Sequence, residues 1–138
     1  MGQVKRLPEL ESWLTEHSVT WTLVTDVEYE SLIRAWISTF RPIIESRGRY
    51  LSGRRAMKAL ESRLPCNVAI FSGLRIRVAR NAGGRGLSGY NVESLSAIDI
   101  SLARQLELIV VADNLAWGCS LSHEEGYEKF YEEESTDA

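Results

Sequence analysis

Three groups of residues in this chain have the types and spacing to do chemistry. His123-Glu124-Glu125 sets an imidazole beside two carboxylates, the ingredients of general acid–base work or of a metal site. A zinc helix of the His-Glu-x-x-His kind needs a second histidine four residues on, and position 127 is Tyr127. With 2 histidines in the chain and no cysteine in register, a three-ligand site would have to gather carboxylates from separate segments. A hydrolase would also need a nucleophile, and neither Ser120 nor Ser122 lies on a strand-to-helix elbow. No catalytic residue, metal ligand or cofactor is therefore expected, and a small hydrolase built on His123 is the third-ranked reading.

Gly84-Arg85-Gly86-Leu87-Ser88-Gly89 spells GxGxxG after an expected strand. The dinucleotide fingerprint requires a helix to open at these glycines and a parallel strand to follow. Tyr90-Asn91 follow instead, so the segment Asn81–Asn91 reads as a glycine-rich connection in which Arg85 and backbone N–H groups could face an anion.

The third group is basic. Between Arg41 and Arg85 there are eleven Lys and Arg and two acidic residues, Glu45 and Glu61, whereas the rest of the chain holds five basic and seventeen acidic residues. The middle is thus about +9 and the remainder about −12, a segregation that either closes on itself or meets a partner. Single-strand binding would also want aromatics among the basic residues, and Tyr50 and Phe71 are the available ones. Pro42 and Gly48 interrupt any helix-turn-helix, and a pI of about 5.5 sets the acidic ends against free nucleic acid. The charge pattern favours a protein partner, one of basic character suiting the acidic ends, over nucleic acid or another anionic ligand bound through 41–85. The partner-binding candidates are Arg54, Arg55, Arg75, Arg77, Arg85, His123, Tyr127 and Tyr131.

The elements that must position these groups are read from periodicity. Gln105–Glu124 is expected to form a β-hairpin around a two-residue Asp113-Asn114 loop, pairing Val110 with Trp117 and Leu108 with Cys119 on one face. Leu7–His17 reads as a helix with Pro8 at its first position and His17 at its C-terminal carbonyls. Val19–Thr25 alternates as a strand with Trp21 inward. Thr25-Asp26-Val27-Glu28 has capping-box spacing before a helix whose face is Tyr29, Leu32, Ile33, Trp36, Ile37 and Phe40, expected to end or kink at Arg41 before Pro42. This helix is expected to cover the Trp117 face. A third helix, Gly53–Leu64, follows a Ser52 cap and stops at Pro65.

Asn67–Phe71 and Leu74–Arg80 are expected as a hairpin pairing Ile70 with Leu74 and Val68 with Ile76. Val92–Leu102 fits both periods, with a strand near Leu95–Ser101 preferred, and Glu125–Glu134 reads as a short polar helix. The sum is one α+β domain spanning residues 1–138. Its mostly antiparallel sheet of about five to six strands, including two hairpins, packs on two or three helices.

Length and composition bound the class. At 138 residues, 44% apolar and 25% charged, the chain is long enough for one core and too apolar for bulk disorder. Its longest apolar run, Leu108–Ala112, is far short of the roughly 20 residues of a membrane span. The opening MGQVKRLPELE lacks a signal-peptide core, and Cys66 and Cys119 read as reduced core residues, so a cytoplasmic location is expected. Small, acidic, single-domain chains of this type include bacterial immunity or antitoxin-like proteins and adaptor domains, an analogy of class and not of motif.

Overall fold

In the computed structural model, which describes residues 6–45, 50–72, 88–124 and 126–132, a seven-stranded antiparallel sheet carries helices on both faces. The elements in chain order are α1 (Pro8–Glu16), β1 (Trp21–Thr25), α2 (Asp26–Glu45), β2 (Tyr50–Ser52), α3 (Arg54–Arg63), β3 (Cys66–Ser72), β4 (Ser88–Leu95), α4 (Ile100–Gln105), β5 (Leu108–Ala112), β6 (Trp117–Ser120) and β7 (Lys129–Glu132). The strand order is β1-β4-β3-β5-β6-β7-β2. The fold is α+β as expected, with more strands than the sequence pattern counted.

Two apolar layers account for the sheet's composition. One holds Leu10 and Leu14 of α1, Ala56 and Leu60 of α3, and Ala103 of α4 against Ile70, Val110, Trp117, Cys119 and Phe130. The other holds Tyr29, Ile33 and Phe40 of α2 against Phe71, Ile109, Val111 and Tyr131. A strand covered on both faces has no polar side to show, which is why β5 is a continuous LIVVA with every residue buried.

The β5–β6 hairpin exists, in a different register. Val110 pairs with Cys119 and Val111 with Gly118, so the loop is the four residues Asp113–Ala116. Leu115 donates to the Ala112 carbonyl at 2.9 Å, with φ of 61° at Leu115, and the Asn114 carboxamide oxygen accepts from the Ala116 N–H at 3.0 Å. Moving each partner by two residues leaves every side chain on its own face. Trp117 is accordingly buried at 4% exposure, stacked on Phe130 with ring centroids 5.7 Å apart.

The helix expected over Trp117 covers the reverse face. Gly118 lies directly beneath it: a Cβ there would be 3.5 Å from the Phe40 ring and 3.6 Å from Trp36 Nε1, ordinary contact distances. The helix also continues through Pro42 to Glu45. A proline in the last turns costs one backbone bond and some crowding, and burial of Tyr29, Ile33 and Phe40 anchors the run that precedes it.

Four further expectations are corrected. Lys129–Glu132 is a strand between β6 and β2, because Phe130 and Tyr131, adjacent in sequence, are required on opposite faces of the sheet. Leu95–Ser101 is no strand: β4 ends at Leu95 and α4 opens at Ile100, where the Asp99 carboxylate caps by accepting from the Leu102 N–H at 3.1 Å. Ser52 lies in β2, and the cap of α3 is Gly53 at φ of 58° with no side-chain bond. Ile70 pairs with Tyr90 and Val110, and Val68 with Val92 and Ala112, so both edges of β3 are taken by β4 and β5 and neither Leu74 nor Ile76 is the partner. The expected strand Leu74–Arg80 itself lies outside the described residues.

At the N-terminal side, α1 begins at Pro8 as expected. His17 sits at its end, Nδ1 2.8 Å from the Trp13 carbonyl and its ring stacked on Trp13 at 4.3 Å. Trp21 is only partly buried, its ring edge against Tyr90.

Candidate functional site

At one end of the sheet the β2–α3 corner, the α4–β5 corner and the β6–β7 connection meet around Glu128. This carboxylate is 1% exposed. Its Oε1 accepts from Arg104 Nε at 2.7 Å and its Oε2 from the Gly126 N–H at 2.9 Å, while its backbone carbonyl accepts from the Gly53 N–H at 2.9 Å. One residue thus ties α4, the start of α3 and its own loop together, which answers the cost of burying its charge. Gly53 and Gly126 have φ of 58° and 94°, and a Cβ on Gly53 would meet the Gly126 backbone at 3.5 Å. The loop needs residues free to turn the left-handed way at these two positions. Between these pieces is a cavity of about 290 Å³ lined by Gly53, Arg54, Met57, Arg104, Gly126 and Glu128.

His123 stands outside that cavity on the same end. Its Nδ1 shares a hydrogen bond with Glu107, whose φ of 48° closes the turn from α4 into β5, and its Nε2 lies 4.0 Å from Glu124. The imidazole is 64% exposed. Ser122 Oγ accepts from the Glu124 N–H at 3.1 Å, and Ser120 Oγ is 3.2 Å from the Tyr131 hydroxyl on the other side of the strand. Neither serine is therefore presented to His123. Among the described residues no group of three His, Cys, Asp or Glu side chains is placed to hold a metal ion.

The remaining site candidates separate. Arg54 lines the cavity; Arg54, Arg55 and Lys58 are exposed on α3 and make no ion pair among the described residues. Arg63, on the same helix, pairs with Glu132 and lies 5.7 Å above the Phe130 ring. Tyr127 is 65% exposed, whereas Tyr131 is 4% exposed and belongs to the core beneath α2. Arg75, Arg77 and Arg85 lie outside the described residues.

Of the GxGxxG glycines, Gly89 is the one described, and it sits inside β4. A Cβ there would lie 3.1 Å from the Ile70 carbonyl and 3.4 Å from the Tyr29 ring, so this glycine serves the packing of α2 on the sheet. The strand that follows is antiparallel to β3, unlike the helix of a dinucleotide site.

Sequence reasoning missed Gly53, Met57, Arg104, Gly126 and Glu128 as a group. Gly126 was the available signal: a glycine within an acidic run argues against helix and for a turn. The two thiols are free and unactivated. Burial, with the Glu128 carboxylate adding to it, pushes Cys119 up to about 12, and burial followed by Asp113 raises Cys66.

Comparison of the chain with protein-family models, with curated proteins and with solved structures found no match in any of the three.

Proposed function

We propose that the chain is a non-enzymatic protein-binding domain whose docking surface is the Glu128 end of the sheet. The observation that carries this reading is Tyr127, 65% exposed on a loop whose backbone is pinned on either side by the buried Glu128 and its bond to Gly126. Exposed tyrosine and arginine are residue types that dominate interface hot spots, Arg54 making no ion pair among the described residues, and a loop already held in place loses little freedom on binding. Free thiols at Cys66 and Cys119 support a cytoplasmic setting of the antitoxin-like or adaptor kind.

Affinity capture from the native lysate tests the reading. The parent chain should recover one protein in stoichiometric amount, and Tyr127→Ala should lose at least about tenfold of it while keeping the parental melt, since an exposed hot-spot residue contributes to binding and little to folding. Recovery of nucleic acid alone overturns the reading.

A second reading, an anionic-ligand or nucleic-acid binder, draws on Arg54, Arg55 and Lys58, which are exposed and unpaired among the described residues. It requires affinity for duplex that falls with salt by a logarithmic slope of about 0.9 per phosphate neutralised.

A further inference from the structure

We infer that the cavity beside Glu128 is a receptor for one carboxylate group, presented by the protein partner as an acidic side chain or as a chain terminus; this rests on the protein-binding reading above. Charge sets the class of ligand. Among the described lining residues Arg54 and Arg104 bring two positive charges and Glu128 one negative, leaving one positive charge for an incoming monoanion.

Geometry then separates the two arginines. Arg104 spends Nε on Glu128, and its terminal nitrogens make no hydrogen bond among the described residues. Those nitrogens form the half of the guanidinium fork that matches a carboxylate's two oxygens. Glu128 does not compete for them, because both of its oxygens are engaged, one by Arg104 Nε and the other by the Gly126 N–H. It acts instead as a positioning residue that fixes the plane of the Arg104 guanidinium before a ligand arrives. Arg54 has no partner among the described residues, so its charge is available to the cavity it lines.

Size and lining agree. At about 290 Å³ the cavity lies at the lower limit of ligand pockets, room for a side chain or a terminal residue and too little for a nucleotide. Met57 supplies an apolar wall for the methylenes that carry an acidic group, and Gly53 and Gly126 line the cavity with backbone alone.

The experiment is a titration of the isotope-labelled full chain followed at the Gly53 and Gly126 amides. Four probes are used: N-acetylglycine for a terminal carboxylate, N-acetylaspartate α-amide for a side-chain carboxylate, N-acetylglycinamide as the uncharged control, and inorganic phosphate. Saturable shifts with either carboxylate and none with the uncharged amide are expected, the tighter of the two carboxylates naming the source. Arg54→Gln, at an exposed position that leaves the fold intact, should weaken binding by about tenfold, the loss of one charge-assisted contact. Arg54→Lys should fall between.

The inference is overturned by absent or non-saturable shifts, by equal shifts with the uncharged amide, by tighter binding of phosphate, or by unchanged affinity in Arg54→Gln. If carboxylates fail to bind and Arg54→Gln captures the partner normally while Tyr127→Ala does not, the pocket assignment falls and the docking surface stands.

Discussion

Glu11 and Glu128 are each held by an arginine, and the two arrangements end differently. At Glu11, both ends of the Arg6 fork are used: Nε reaches Oε2 at 2.8 Å and Nη2 reaches Oε1 at 2.5 Å. The Tyr90 hydroxyl completes the cluster by donating to Glu11 at 2.5 Å while accepting from the Leu7 N–H at 2.8 Å. Both Glu11 oxygens, the Tyr90 hydroxyl and the Leu7 N–H are paired, and the cluster clamps the start of α1 to β4. At Glu128 the carboxylate is equally satisfied, yet the terminal nitrogens of Arg104 make no hydrogen bond among the described residues, and Arg104 lines a cavity. A guanidinium that spends both prongs of one fork edge on a carboxylate is a fastener; one that spends a single nitrogen beside open volume leaves a fork edge for a ligand.

The largest expected effect comes from removing the arginine where the carboxylate is buried. Arg104→Ala leaves Glu128, at 1% exposure, without its counter-charge, and breaking such a pair costs about 3–5 kcal/mol. The adjacent cavity lets water reach the stranded carboxylate, so a denaturant titration should return the lower end, about 3 kcal/mol. A loss below about 1 kcal/mol would mean that Glu128 is hydrated in solution, and the contrast with Glu11 would vanish.

Tyr90→Phe breaks the other cluster from its buried side. Tyr90 is 0% exposed, and deleting its hydroxyl strands the Leu7 N–H, which should cost about 1–2 kcal/mol and speed amide exchange in α1 before β4. Exchange that rises equally in both elements would show that the clamp serves the whole sheet.

The smallest effect is pH-dependent. The hydrogen bonds from Arg6, and after them that from Tyr90, hold the Glu11 carboxyl below its ordinary value of 4.5 against the opposing pull of burial. A group depressed in the folded state stabilises the fold fully above its unfolded value, and that contribution is lost as pH falls from 4.5 through the folded value. Glu11→Gln should therefore flatten this part of the acid limb of a stability–pH curve. An acid limb identical to the parent's would place the Glu11 cluster open in solution.

The contrast also explains what was legible before the structure. Arg6 and Glu11 are five residues apart at the head of a helix announced by Pro8, whereas Arg104 and Glu128 are 24 apart and meet only because β6 turns back to β7 beside α4. Tyr127 was a partner-binding candidate from the tyrosine-rich tail; Glu128, its neighbour, was one more acid in EEGYEKFYEE, read as a short polar helix. Tyr131 failed as a surface candidate for the same reason, since it faces α2 only in a strand.

Local physics was enough for the start of α1, for the apolar stripe of α2 and for the two faces of β5 and β6, because each depends on a period of 3.6 or 2 within a few residues. Even a two-residue error in the hairpin register left Val110, Trp117 and Cys119 on their face. Tertiary structure decided the rest. Whether Phe130 and Tyr131 share a side depends on both faces of the sheet being covered, which face α2 takes depends on the layer of Phe71, Ile109, Val111 and Tyr131 gathered from three strands, and the burial of Glu128 depends on strand order. These are properties of segments brought together from far apart, and no repeat within any one of them records where the others will lie.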